Sequence, residues 1–387
     1  MSKGKRSYGK LINVIIYLLV GIYVGIEFGQ LYIPYIRNAI DQGGPVVLES
    51  LLLLYVVIVA TFYLAMTIQV IVHEEGHMVF GLLSGYKFLS FRIFSFMWIK
   101  TDGKISFKRM SLAGTAGQCL MSPPDMVDGK LPVLLYNFGG AIMNVIFSAL
   151  FFGISLLVPS NSLFGGFLRI AAVLGIAMAL TNGLPLQVGP VNNDGKNALS
   201  LMKDKDAARA FWIQLKVNEE LAYGKRVKDM PAEWFEVPDD EGMKNGLIAT
   251  VGVLAANRLV DERKFGEARE LMNHLLQVGS GIVGLHRGLM VCDLLYIEAI
   301  GENRKSVISS LLTKEQLKLM KAMKTSISVL RTEYVLDLLY YKDEAKAKKT
   351  KQKIEKLTAK YPYPVELISE GELMKIAEEK ADNTAEA

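Results

Sequence analysis

Residues 50–72 run for 23 positions without a charged side chain. A soluble domain cannot easily hide so long an apolar run, and roughly 20 such residues are what a helix needs to cross a bilayer. Residues 11–33 carry one charge, Glu27, and residues 131–168 and 170–193 carry none. The favoured spans are 11–31, 47–72, 133–158 and 163–182. The division of charge agrees. Residues 1–195 hold 13 Lys/Arg and 9 Asp/Glu, whereas residues 196–387 hold 31 and 30. The first half therefore reads as membrane and the second as a water-soluble domain. Two cysteines, Cys119 and Cys292, exclude a disulfide framework and a four-cysteine zinc site. A net charge of +5, mostly in the membrane half, is too diffuse for nucleic acid and bears on topology instead.

Loop charges orient the spans. Lys3, Lys5, Arg6 and Lys10 precede the first, which reads as a retained signal-anchor. The 34–46 loop has Arg37 as its single Lys/Arg, and the 159–162 loop has none. The 86–130 segment carries seven Lys/Arg. The N-terminus, that segment and the tail are therefore expected on the cytoplasmic side of a multi-pass protein of the cell membrane. Within the segment, Leu89–Lys100 is aromatic and β-branched, Thr101-Asp102-Gly103 is a turn signal, and Lys104–Arg109 alternates again. This pattern predicts a β-hairpin at the membrane face, with a short interfacial helix as the alternative.

The second span runs into His73-Glu74-Glu75-Gly76-His77, an H-E-x-x-H pattern. On a helix, residues i and i+4 share one face, so two imidazoles can ligate one zinc ion. Glu74 beside them can act as general base on a water whose pKa the metal lowers to about 7. A third protein ligand is needed. Asp194 follows the fourth span on the same expected side as His77, although Asn193-Asp194-Gly195 is also ordinary turn chemistry. His274 and His286 lie in the polar tail and read as surface or packing residues.

Three elements in order resemble the site-2 protease family of intramembrane zinc metalloproteases. They are His73 to His77 at a span, then Gly139-Gly140-Ala141-Ile142-Met143-Asn144, then Asn182 to Pro185 followed by Asp194-Gly195. The resemblance covers roughly residues 47–196. It implies that His73, His77 and Asp194 bind one zinc ion per chain and that Glu74 is the base. Asn144 would position substrate or stabilise the oxyanion, and Asn182 and Pro185 would shape the end of the last core span. The hairpin would correspond to the family's membrane-associated β-element. The substrate would be a membrane-anchored protein or peptide within the bilayer. Two departures stand out: Ala141 replaces the usual proline, and the gap from Pro185 to Asp194 is longer, with Asn193 in place of leucine. Asp125 and Asp128 are the alternative third ligands.

The tail, residues 200–387, has helical periodicity. Val253–Gln277 resembles a tetratricopeptide-type helical hairpin, without a strict 34-residue repeat. Glu378–Ala387 is expected to fray. The tail would bind a protein partner, restrict access to the site, or simply pack. The expected architecture is thus a multi-pass α-helical membrane protein with a small β-hairpin and an α-helical soluble domain. Its parts are 1–46 (signal-anchor and outer loop), 47–199 (metalloprotease core) and 200–387 (cytoplasmic domain). The expected function is an intramembrane zinc endopeptidase. The alternatives are a non-catalytic membrane scaffold or chaperone binding through the tail, and a zinc transporter.

Overall fold

The computed structural model describes residues 3–42, 46–101, 103–110, 115–159, 162–185, 187–188, 191–359 and 361–385. The chain divides into two compact units: residues 1–86 with 132–203, and residues 87–131 with 204–387. The strands after the second long helix thus group with the tail, and the segment around Asp194 groups with the long apolar helices.

The first unit is built on α1 (Lys3–Gln42), α2 (Val46–Leu83), α3 (Val133–Ser155) and α4 (Leu163–Gly183). Each contains a stretch long and apolar enough to cross a membrane: Leu11–Asn38, Leu48–Leu83, Val133–Ser155 and Leu163–Gly183. Helix α1 continues through Pro34, where the sequence suggested a loop. A proline inside a helix removes one backbone donor and crowds the preceding turn, and in an apolar setting the surrounding helix tolerates it. Helix α2 does not stop at Val72 but carries the whole His73–His77 motif, ending at Leu83.

Small residues bring these helices together. A Cβ on Gly139 would lie 2.5 Å from the Gly76 carbonyl oxygen, so α2 and α3 touch backbone to backbone. Gly166 of α4 receives Leu31 of α1, with no room for a methyl group between them. Val24, Ala65, Ile170, Ala171 and Leu174 form an apolar core where α1, α2 and α4 meet. One ion pair crosses this core. Arg169 Nε donates to both Glu27 carboxylate oxygens at 3.0 and 2.9 Å, and Tyr23 Oη donates to the same group at 3.0 Å. Arg169 is the single charge between two uncharged runs, and its partner lies 142 residues away, beyond any local pattern.

In the second unit the expected hairpin is part of a four-stranded antiparallel sheet, ordered β3-β2-β1-β4. The strands are β1 (Lys87–Ile93), β2 (Phe96–Thr101), β3 (Lys104–Arg109) and β4 (Gly117–Ser122). The run read as one strand from Leu89 to Lys100 folds back at Phe94-Ser95, pairing Ile93 with Phe96 and Ser90 with Ile99. Phe94 takes a left-handed φ of 53°, which a turn this tight requires and which phenylalanine seldom adopts. No Gly, Asn or Pro marks the turn in the sequence. Phe91, Trp98 and Phe107 align across the strands on one face. Leu89, Met97 and Ile99 pack with Ala222 and Tyr363 of the tail.

Among the described residues the tail is mainly helical, beginning with α6 (Lys205–Ala222), with short 3-10 segments and turns between helices. The segments α7 (Gly246–Asp261) and α8 (Phe265–Gln277) form the helical hairpin read from the sequence. The last helix, Pro364–Ala385, includes Glu378–Ala385 of the stretch expected to fray, whose last two positions lie outside the described residues, and it buries Leu373, Met374 and Ala377 in the tail core.

Candidate metal centre

Helical periodicity places His73 and His77 one above the other on α2, with ring centroids 4.8 Å apart. The third member arrives from far along the chain. After α4 the chain makes a small antiparallel ladder, β5 (Gln187–Val188) against β6 (Val191–Asn192), and then starts α5 at Asp194 (Asp194–Lys203). The lengthened loop before Asp194 is therefore taken up by a ladder that turns the chain back. Asn193 fixes the return. Its Nδ2 donates to the Thr181 carbonyl at 2.7 Å and to that of Leu184, while its Oδ1 accepts the Lys196 N–H at 3.0 Å. It thus caps α5 and ties that helix to the end of α4, a polar task leucine cannot perform. Gly195 completes the contact: a Cβ there would sit 2.7 Å from the Gly183 carbonyl carbon.

The three side chains converge. His73 Nε2 lies 3.1 Å from Asp194 Oδ2, His77 Nε2 lies 3.5 Å from the same oxygen, and the two Nε2 atoms are 3.2 Å apart. Hydrogen bonds on the far side of each ring place a proton on Nδ1. His77 Nδ1 is 2.7 Å from the Tyr136 carbonyl, which can only accept, so Nδ1 bears the proton. His73 Nδ1 is 2.8 Å from Asn144 Oδ1, again an acceptor. If both rings are neutral, both Nε2 atoms present lone pairs to a carboxylate oxygen and to each other. Three electron-pair donors facing one another repel unless a cation lies among them. Their separations suit one metal ion, because a tetrahedral zinc with bonds of about 2.0–2.1 Å has ligand–ligand edges of about 3.3–3.4 Å. Among the described residues this is the group of His, Cys, Asp and Glu side chains able to hold a metal. A proton on one imidazole is the alternative source of positive charge. In that alternative Nε2–H donates to Asp194; burial opposes ionisation of the carboxyl, but these contacts with the imidazoles outweigh burial and hold it well below the usual carboxylate range.

Of the other residues singled out from the sequence, Glu74 is adjacent to His73 on α2 and half-buried. Asn144 is fully buried behind His73. Its Nδ2 donates to the Gln69 carbonyl at 3.0 Å and to Gln69 Oε1 at 2.8 Å, so the hydrogens an oxyanion would need are engaged within the fold. Gly140 leaves room for the His73 ring, whose Cε1 would meet an added Cβ at 2.5 Å. Asn182 bonds back to the Met178 carbonyl at 3.0 Å, at the last turn of α4. Asp125 and Asp128 follow β4 in the second unit, and the group able to hold a metal among the described residues is His73, His77 and Asp194. His274 pairs with Asp240 at 2.7 Å on the tail surface. Sequence reasoning passed over Gln69 and Tyr136. Gln69 carried one signal, as an amide one turn before His73 in an otherwise apolar run.

No protein-family model, no curated protein and no solved structure matches this chain.

Proposed function

We propose that the protein is an intramembrane zinc endopeptidase, similar in its site to the site-2 proteases. The observation that carries this reading is the convergence of His73 Nε2, His77 Nε2 and Asp194 Oδ2 within 3.5 Å of one another on helices apolar enough to span a bilayer. In this reading the four long helices cross the membrane, with the N-terminus and tail on the cytoplasmic side. His73 lies ten residues before the end of α2, about 15 Å from that end. Hydrolysis then takes place below the membrane surface, on a membrane-anchored protein or peptide.

His73, His77 and Asp194 would hold the zinc. A bound zinc ion supplies Lewis-acid activation of water and of the scissile carbonyl. The Glu74 carboxylate accepts the proton of the attacking water and passes it to the leaving amine. Tyr136 and Asn144 keep the two imidazoles turned with Nε2 inward. The scaffold alternative drew on the lengthened loop before Asp194, and that loop delivers Asp194 to the histidines.

The test is reconstitution of zinc-loaded protein in vesicles with a panel of single-span substrates, followed by mass spectrometry of new termini. Wild type generates defined new termini inside or beside the span, and Glu74→Gln does not. Equal cleavage by Glu74→Gln, or no cleavage of any panel member by wild type, overturns the proposal.

A further inference from the structure

Behind the ligands lies a chain of hydrogen bonds whose direction is fixed at its far end. Gln69 is fully buried on α2, one turn before His73. Its Nε2 lies 2.8 Å from the Ala171 carbonyl of α4. A carbonyl only accepts, so the NH2 end of the Gln69 amide must face Ala171, which turns Oε1 toward Asn144. Asn144 Nδ2 donates to that Oε1 at 2.8 Å and to the Gln69 backbone carbonyl at 3.0 Å. Asn144 must then present Oδ1 to His73, whose Nδ1 lies 2.8 Å away and must carry the proton. Nε2 is left bare, facing His77 and Asp194. Every donor points the same way, from His73 through Asn144 and Gln69 to a backbone oxygen that cannot be reversed. Such aligned amides polarise one another in a low-dielectric interior. Space for the relay comes from Gly175, where a Cβ would lie 2.6 Å from Gln69 Nε2.

We infer that Gln69 is a positioning residue of the metal centre: anchored on the Ala171 carbonyl of α4, it sets the orientation of Asn144 and through it the tautomer of His73 that offers Nε2 to the metal. This rests on the zinc reading above. The relay also joins α2, α3 and α4 at one point, so the fourth helix holds the centre both through Asp194, which follows it, and through its own backbone.

The experiment measures zinc affinity of the full-length protein in detergent by chelator competition, for wild type, Gln69→Met and Gln69→Glu. Gln69→Met keeps the volume and removes the polarity. It is expected to bind zinc about 10–100-fold more weakly, the usual effect of losing an outer partner of a ligating histidine. In Gln69→Glu an uncharged carboxyl can donate its O–H to Ala171 and accept from Asn144, so affinity returns to within a few-fold of wild type. A packing role alone would produce no such rescue. Wild-type affinity in Gln69→Met, or no recovery in folded Gln69→Glu, overturns the relay. A second measurement stands even if Gln69→Met fails to fold. In protein carrying His274→Gln and His286→Gln, 15N spectra of the two remaining rings must show Nδ1 protonated on both, with or without zinc. A bare Nδ1 on the His73 ring overturns the relay. Absence of zinc binding in wild type would end the zinc reading, and the same spectra would still decide the tautomer.

Discussion

The tail and the apolar helices both bury charged and polar side chains, but they balance them differently. In the tail two arginines largely withdrawn from water are answered by acids. Arg331, 1% exposed, lies between Asp293 at 2.5 Å and Glu370 at 2.8 Å, with its guanidinium 4.5 Å above the Tyr296 ring. Arg226 joins Asp261 at 2.6 Å and Glu372 at 2.8 Å. The apolar helices follow the same rule at Glu27 and Arg169. The cluster of His73, His77 and Asp194 is different: two imidazole nitrogens meet one carboxylate oxygen with no Lys or Arg ion pair among them, and neutral rings would make every inward-facing atom an acceptor. A balanced group is complete within the fold and stabilises it. An unbalanced one has a place for a cation, which marks function rather than architecture.

If that contrast is right, changes on the two sides separate into loss of chemistry and loss of stability. The largest effect belongs to Glu74→Gln, which is expected to lower the rate of peptide hydrolysis by about 10²–10⁴-fold or more while the zinc content stays at the wild-type level. Product termini and metal content from one preparation check it. Arg331→Met leaves Asp293 and Glu370 facing each other without their cation. Removing one partner of such a group costs about 3–5 kcal/mol. Thermal unfolding should register the loss while zinc content is unchanged, and zinc lost from the folded variant would break the contrast.

Glu366 sharpens the comparison, since the Tyr361 hydroxyl, rather than a cation, meets it at 2.5 Å. Withdrawal from water and the nearby Glu370 outweigh that hydrogen bond and push its carboxyl from 4.5 up to about 7. The folded state therefore holds a proton that the unfolded state releases between those values. Stability falls as pH rises from about 4.5 to about 7 and levels off above. Glu366→Gln should remove this fall, with the largest gain in melting temperature above pH 7. A melting profile of unchanged slope would refute it.

Gly140→Ala drives a methyl group toward the His73 ring, and overpacking of this kind costs about 1–3 kcal/mol. It should weaken zinc binding as well as lower the melting temperature, unlike any change in the tail. The smallest effect is Asn193→Ala, which removes the cap of α5 at a cost of about 1 kcal/mol. Because Asp194 is the next residue, zinc affinity should drop measurably even though no ligand is altered. Calorimetry and chelator competition on the same sample would show both effects.

Much of this architecture is legible in the sequence because its signals are local. Four helices follow from uncharged runs, and the i, i+4 spacing of His73 and His77 already places two rings on one face. The α7–α8 hairpin follows from periodicity around Phe265-Gly266-Glu267-Ala268. Asp194 is different: 121 residues separate it from His73, and only its place after the fourth span and the order of the motifs suggested it. Asn193 looked like a departure from pattern because its value lies in two carbonyls that only folding brings near. The Phe94 turn escaped notice because a phenylalanine with left-handed φ has no sequence signature. Gln69 and Arg169 are single polar residues in apolar runs, and what they do depends on partners at Ala171, Asn144 and Glu27 that no periodicity reveals.

The central claim is that three lone-pair donors enclose one metal ion. It is tested most directly by the zinc content of gently purified protein, for wild type, His73→Ala and Asp194→Ala in parallel, with folding checked on each. The account requires about one zinc per chain in wild type and its loss in both variants. Well-folded wild type without zinc, or zinc retained when either ligand is removed, would contradict it.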